Sequence, residues 1–430
     1  MLQAVNHGVG IAPKAGSREI RTVVLLSLGF GLVGVDRFLI STLYPVIAHD
    51  LHLGYRDIGI ITGALALAWS ISAFFMGNAA DRIGRRRVLT GSLLVFSLLI
   101  GASGLATGLL SLIAVRVVMG FADGAYTPAS IAGTLAASPP RRRGLNIGIQ
   151  QMLMPLCGLG LAPVLVALAL RFMAWRWVFL WFVVPGLALA LAVWKTFAAE
   201  RGARESTAGS AGDADGDRRG GRPADRGWSD WQRVLRFPNV RVASLLMLCW
   251  LTCLVTTSAF MPSYLVDYLK LPLDRMASVM SAIGFGATLG TLLLPWASDR
   301  LGRKRVLALS SVGACLSLLL LKNTGAVVGA LFGFLFLVHF FNNALITLTV
   351  GPLCAEAVPP QLMATASGLV IAVGELFGGG LAPVLVGHAA QRFGIEHVLW
   401  LPIVMIGLGF LLCLTIRDNP RQPPALSENS

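Results

Sequence analysis

The sequence predicts an all-α membrane protein: twelve transmembrane helices in two pseudo-symmetric six-helix bundles. Three observations lead there. The 430 residues are 55% hydrophobic and only 13% charged, with a mean hydropathy of +0.73, whereas a soluble domain carries about a quarter charged residues. The apolar residues fall in long blocks, each near the ~20 residues that a spanning helix needs. The second half of the chain repeats motifs of the first in the same order.

The polar start MLQAVNHGVGIAPKAGSREIR, residues 1–21, lacks the apolar core of a secretion signal and reads as a tail. The first apolar block then serves as a retained span. Six spans are expected at 22–48, 57–79, 87–107, 110–135, 143–170 and 176–198, forming a bundle over 22–199. Residues 200–227 (ERGARESTAGSAGDADGDRRGGRPADRG) have nothing apolar to bury and read as a disordered linker. In WSDWQRVLRF, which follows, Trp228, Trp231, Val234 and Leu235 recur at helical spacing. This suggests a short helix, at the membrane interface or packed on protein, that closes the 200–241 segment. Spans at 242–267, 275–297, 305–322, 326–353, 363–390 and 396–416 form the second bundle, 242–416, and 417–430 is a tail.

The net charge of +14 does not point to nucleic acid, because the arginines cluster in short gaps between apolar blocks. Arg82, Arg85, Arg86 and Arg87 share one gap, Arg141 to Arg143 another, and Arg300, Arg303, Lys304 and Arg305 a third. Basic loops stay in the cytoplasm, so both termini are expected there, in a protein of a bacterial inner membrane. The six cysteines show no zinc or disulfide spacing, and no nucleophile–base or metal constellation appears within the spans. No enzyme activity, cofactor or metal is expected.

The repeat is specific. DRIGRRRVL at 81–89 returns as DRLGRKRVL at 299–307, and GLAPVLV at 160–166 returns unchanged at 380–386. Pro139-Pro140 matches Pro359-Pro360, and STLYPVIAHD at 41–50 aligns with SAFMPSYLVD at 258–267. An even number of helices per repeat relates the halves by an axis along the membrane normal, the arrangement that lets two bundles rock about a central site.

A charged group near mid-bilayer costs about 2.5–3.5 kcal/mol or more, so each one is a functional candidate. Asp36, Arg37, Arg116, Asp123, His339 and Glu375 stand away from helix ends. Arg116 and Asp123 are two turns apart and share a face, on or near which Gly120 and Gly124 allow a neighbouring helix close. Asp36 and Arg37 point about 100° apart. One arrangement turns Asp36 to Arg116 and Arg37 to the cavity. Burial favours the neutral form of a carboxyl group and a nearby guanidinium favours the charged form. An acid whose neighbour changes between conformations therefore loads a proton on one side and releases it on the other. A static ion network holding helices together is the structural alternative.

These residues carry a resemblance. GNAADRIGRRR at 77–87 is similar to the loop signature G-x-x-x-D-R-x-G-R-R of the major facilitator superfamily, and PWASDRLGRKR at 295–305 repeats it with Pro295 in place of Gly. Gly77, Asp81, Arg82, Gly84, Arg85 and Arg86, with Asp299, Arg300, Gly302 and Arg303, are expected to form a cytoplasmic gate, the acids latching to arginines that open the next helix. The Asp-Arg pair of the first span, with Arg116 and Asp123 in the fourth, resembles the anion:cation symporter family, in which the last of these positions is usually Glu. The resemblance implies that Arg37 binds the carboxylate of an organic anion, that Asp36 and Asp123 take up protons, and that Arg116 modulates them.

Repeat alignment puts Phe336 opposite Arg116 and Asn343 opposite Asp123, so neutral polar recognition is expected in the second half, from Asn342 and Asn343. Glu375, alone in its span, is a further proton-coupling candidate or a ligand for a polar part of the substrate, with an interhelical hydrogen bond as the alternative. Tyr44, Gln150 and Gln151 are candidate cavity residues. The expected function is proton-coupled uptake of a small organic anion, such as a sugar acid or aromatic carboxylate, by alternating access. Its partners are protons, the anion and membrane lipid, and a monomer suffices. The alternative is a proton-coupled antiporter that exports drugs or metabolites. The resemblance argues against it, because antiporters of that kind carry Gly-Pro in the fifth helix and here Ala162 precedes Pro163.

Overall fold

The computed structural model describes residues 15–208, 228–359 and 362–416, and all regular structure among them is helical. The first bundle comprises Ala15–Leu51, Tyr55–Ile83, Arg85–Gly104 and Leu109–Ala137, a fifth span in three consecutive pieces (Arg143–Pro155, Leu156–Leu161 and Ala162–Ala169), and Trp175–Ala208. Helix Trp228–Leu235 follows, with Val234 buried against the seventh and eleventh spans. The second bundle begins with Pro238–Ser263 and its extension Tyr264–Tyr268, then Leu273–Leu301 and Arg303–Lys322. The tenth span runs through Val328–Leu348, Thr349–Leu353 and Cys354–Ala357, the eleventh through Met363–Val373, Gly374–Leu381 and Ala382–Phe393, and the twelfth is Trp400–Leu414.

Eleven of the described helices are long and apolar enough to cross a membrane. The remaining long rod, Tyr55–Ile83, has 29 residues, about 43 Å at 1.5 Å per residue, and packs between the fourth and eleventh spans. The sixth helix continues through 201–208, a stretch of the expected linker, where Ala, Glu and Arg favour helix. Residues 209–227 lie outside the described residues. The outward surface is apolar, with Val164, Leu168, Trp181, Val184, Leu385 and Leu411 exposed, as a bundle solvated by lipid requires. Among the described residues Asp36, Arg37, Arg116, Asp123 and Glu375 are the charged groups buried inside.

The sequence repeat reappears in the backbone. Gly84 and Gly302 break the chain between the second and third and between the eighth and ninth spans at φ 98° and 93°. L-residues with a Cβ avoid that region, which explains a glycine at the same place in both basic loops. GLAPVLV contributes the end of a π-helical stretch in both halves, Leu156–Leu161 and Gly374–Leu381, each followed by a helix with proline near its start. Pro163 and Pro383 lack the N–H that an α-helix needs, and the wider turn absorbs the loss.

The halves meet through the first and seventh, second and eleventh, and fifth and eighth spans. Their close contacts gather at the end carrying the loop 52–54, opposite the arginine-rich loops. There Tyr55 donates to Asp267 at 3.1 Å, and Arg171 pairs with Asp274 at 2.7 Å. Gly284 lies directly against the backbone of Leu159 and Gly160, and Gly59 and Gly63 against the carbonyls of Pro383 and Gly380. Glycine permits helices to approach this closely.

Candidate functional site

Asp36 and Arg37 sit mid-helix in the first span and diverge as adjacent helical residues must. Arg37 points across the seam to the second bundle. Its Nη1 donates to Glu375 Oε1 at 3.2 Å and its Nη2 to Oε2 at 2.8 Å, a two-point guanidinium–carboxylate bond. Trp69 of the second span lies under it, 4.1 Å from guanidinium carbon to ring centroid. The ring's electron-rich face holds the cation in a dry setting. Glu375 stands alone in its own helix but not in space.

Asp36 turns toward the fourth span. Arg116 Nη1 donates to the Asp36 backbone carbonyl at 2.7 Å and lies 3.9 Å from its carboxylate oxygen. Asp36, Arg116 and Asp123 are each 1% exposed. Asp123 is buried on the same face of the fourth span as Arg116, so both acids belong to one buried charge cluster with it. Among the described residues their four oxygens, and Nε and Nη2 of Arg116, have no hydrogen-bond partner. Fully buried acids without donors are costly as a purely structural feature.

Why these helices can come so close is visible in the fourth span. A Cβ on Gly120 would press on the backbone of Leu65 and Trp69, and one on Gly124 on Trp69 and Ser72. Bare backbone at these positions seats the second span against the fourth, which delivers Trp69 to Arg37. In the second half Gly286 and Gly290 seat the eighth span against Phe336 and Phe340 in the same way.

Arg37 and Arg116 both line a small central cavity, with Phe38, Ser41, Thr62 and Leu65 from the first bundle and Val255, Ser258 and Ala259 from the second. The cavity therefore straddles the seam and combines two guanidiniums, three hydroxyls and apolar wall. Trp69 and the Ser41–Ser258 pair were not singled out in the sequence. Ser41 and Ser258 open the aligned segments STLYP and SAFMP, so the repeat held the signal for them.

Most of the other predicted residues are engaged by the protein. Tyr44 donates to the carbonyl of Gly54, fastening the loop between the first two spans. Gln150 donates to Ser130 at 2.9 Å, and Gln151 is half-buried beside it. Asn342 donates to the carbonyl of Trp250 at 3.1 Å, which is a helix–helix bond, and Asn343 to that of His339 at 3.3 Å. His339 meets Thr257 at 3.1 Å. In the second basic loop Arg303 pairs with Asp299 at 2.6 Å and with Glu356 at 3.2 Å, while Arg300 lies over Trp296. In the first, Arg86 lies over Trp194. The side chains of Asp81, Arg82 and Arg85 lie outside the described residues, as does any latch they make.

Comparison with known proteins agrees with this architecture. The family model of the Major Facilitator Superfamily matches residues 26–369 and 256–430. The 3-(3-hydroxy-phenyl)propionate transporter of Escherichia coli is 30% identical over 380 residues, 87% of each chain. The gentisate transporter of Corynebacterium glutamicum is 26% identical over 428 residues, 95% of this chain and 88% of that protein. Among solved structures, a bacterial homolog of the human lysosomal transporter Spinster, inward-facing and unoccupied, superposes with a TM-score of 0.74 at 17% identity, covering 93% of this chain and 97% of its own.

Proposed function

The chain belongs to the Major Facilitator Superfamily of membrane transporters, and we propose that it takes up a small organic anion together with protons. One observation carries this reading. At the centre of the bundle, between the two halves, a buried guanidinium stacked on Trp69 is already engaged by a carboxylate at two points. The site has the shape and charge for a carboxylate ligand.

Arg37 is the proposed anchor for the substrate's carboxylate, with Ser41, Thr62 and Ser258 as hydroxyl contacts and Phe38, Leu65 and Val255 as wall for an apolar ring. This lining suits an aromatic acid, the kind of compound that the E. coli and C. glutamicum relatives are named for. Asp36 and Asp123 are the proposed proton carriers. With Glu375 they place three carboxyls against the two guanidiniums of Arg37 and Arg116. One proton held by the two aspartates makes the whole buried cluster neutral, and a neutral cluster moves through the membrane interior at far lower cost.

The positive-inside rule assigns the arginine-rich end, with both termini, to the cytoplasm. On this proposal the packed end at Tyr55, Arg171 and Gly284 faces outward, as it would in an inward-facing carrier. Transport proceeds as the bundles 22–199 and 242–416 rock about the seam, linked by 200–241, with a single chain sufficient. The gate residues Asp299 and Arg303, and their counterparts Asp81, Arg82 and Arg85, belong to the end that closes in the opposite state.

The test is uptake of labelled 3-(3-hydroxyphenyl)propionate, gentisate and glucuronate into right-side-out vesicles with acid outside. Accumulation of at least one acid, collapsing on addition of a protonophore and lost in Arg37→Ala, is expected. Accumulation indifferent to the proton gradient would refute the coupling. Undiminished anion uptake by Arg37→Ala would refute the anchor.

A further inference from the structure

We infer that Glu375 is an internal substitute for the substrate's carboxylate: it occupies Arg37 in the empty carrier and must take up a proton before the anion can replace it. This rests on the uptake reading above and says how the anion and a proton come to be admitted together.

The geometry is specific. Arg37 belongs to the first bundle and Glu375 to the second, and their two hydrogen bonds use both oxygens of the acid. The side chains are 7% and 9% exposed. A guanidinium presents one such fork along that edge, so a second carboxylate cannot take the same seat while Glu375 holds it. An arriving anion displaces Glu375, which is then a carboxylate without its partner in a dry seam. Among the described residues Arg37 is its only ion-pair partner. The elements packed on this turn of the eleventh span present Ala66 and Leu67 from the second span and Met247, Leu251 and Thr252 from the seventh, none of them ionisable. Asp36, Arg116 and Asp123, the other buried charged residues among those described, belong to the first bundle, where Arg116 pairs with Asp36.

A proton from the aqueous side resolves this. Protonated Glu375 releases Arg37, the substrate carboxylate takes the vacated donors, and the number of charges in the seam stays balanced. When the anion departs, Glu375 gives up its proton and closes back on Arg37. The empty carrier then reorients with its guanidinium neutralised from within. Only two states cross cheaply: anion with proton, or neither. That is a condition for tight symport set by competition for one guanidinium, and it adds to the protons that Asp36 and Asp123 are proposed to carry.

The test is the pH dependence of binding. Affinity for labelled 3-(3-hydroxyphenyl)propionate is measured on purified full-length protein from pH 6 to 9, in wild type and in Glu375→Gln. Uptake of one proton with each anion weakens apparent affinity about tenfold per pH unit. In Glu375→Gln the plot of log Kd against pH should be shallower by one proton, with tighter binding at the alkaline end. Anion-for-anion exchange should persist while net uptake falls, because the empty variant must reorient with Arg37 unpaired. Proton counting on wild type in weak buffer, one proton absorbed per anion bound, tests the same point if the variant does not fold. An unchanged slope in the variant, or no proton absorbed by wild type, overturns the inference even where wild type accumulates the acid. Failure of wild type to accumulate with the gradient refutes the uptake reading instead.

Discussion

A methyl group added at Gly284 should move the protein between its two conformations without unfolding it. Gly284 lies in the eighth span, and the position a Cβ would take falls on the backbone of Leu159 and Gly160 in the fifth. Carbon atoms rest about 3.5–4.0 Å apart, and the nearest backbone atoms stand well inside that distance. Backbone cannot rotate away as a side chain does, so the two helices must separate. Overpacking of this kind costs about 1–3 kcal/mol. The penalty applies only while the fifth and eighth spans touch, that is, while the Tyr55 end is closed. A cost of about 2 kcal/mol shifts the equilibrium about thirtyfold toward the state open at that end. The assay is cross-linking between cysteines placed at Arg171 and Asp274, which pair at 2.7 Å across the same closed end. The rate should fall in Gly284→Ala, by at most about thirtyfold, with little change in melting temperature. Gly290→Ala is the control, because its Cβ meets the Phe340 carbonyl inside the same bundle. It should lower the melting temperature and leave cross-linking alone. A lowered melting temperature in Gly284→Ala with unchanged cross-linking would refute the reasoning, since the contact would then belong to the fold and not to one state.

Trp69→Leu should keep the fold but withdraw the aromatic face 4.1 Å from Arg37. A desolvated cation–π contact is worth about 2 kcal/mol, so anion affinity should fall about thirtyfold in a binding titration, and unaltered affinity would show that Trp69 only fills space. Asp123→Asn should retain anion exchange and lose gradient-driven accumulation, with counterflow and acid-driven uptake measured side by side; normal accumulation would place the coupling proton elsewhere. Gly302→Ala forces a Cβ into φ 93°, ψ 143°, a region that costs about 1–3 kcal/mol for other residues. A drop of several degrees in the melting temperature in detergent is expected, and wild-type melting would show that the turn relaxes freely.

Spans were legible because lipid imposes a strong rule on sequence: the fourth, read at 110–135, is Leu109–Ala137, and the ninth, read at 305–322, is Arg303–Lys322. Helix ends were less so, since Ala and Glu carry the sixth helix beyond its apolar stretch. The charges of the site were legible for the same reason as the spans, standing out against an apolar background. The meeting of Asp36 with Arg116 was legible from helix geometry, but the partner of Arg37 was not. Arg37 and Glu375 are 338 residues apart, and no periodicity links the faces of two helices from different bundles. Trp69 had no polar signal at all, being one aromatic residue in an apolar run. Tyr44, Gln150 and Asn342 stood out as polar, but their hydrogen bonds go to the protein's own backbone and to Ser130.

The placement of the two charge groups follows from what rocking does to contacts. Contacts within a bundle persist through the cycle, and contacts across the seam are remade. Asp36, Arg116 and Asp123 all belong to the first bundle, so their mutual geometry moves as one body. Their environment still changes, because Arg116 and Arg37 both border the cavity, which opens and closes with the seam. The Arg37–Glu375 bond crosses the seam and has to respond to every excursion. In the proposed cycle the two aspartates therefore hold the charge balance of the core, while the bond across the seam reads whether an anion is present. The asymmetry between the halves has a physical reason on this view. A second cluster of charges in the other bundle would confront the first at each closure, and a single acid opposite a single guanidinium is the smallest set that lets substrate, proton and conformation depend on one another.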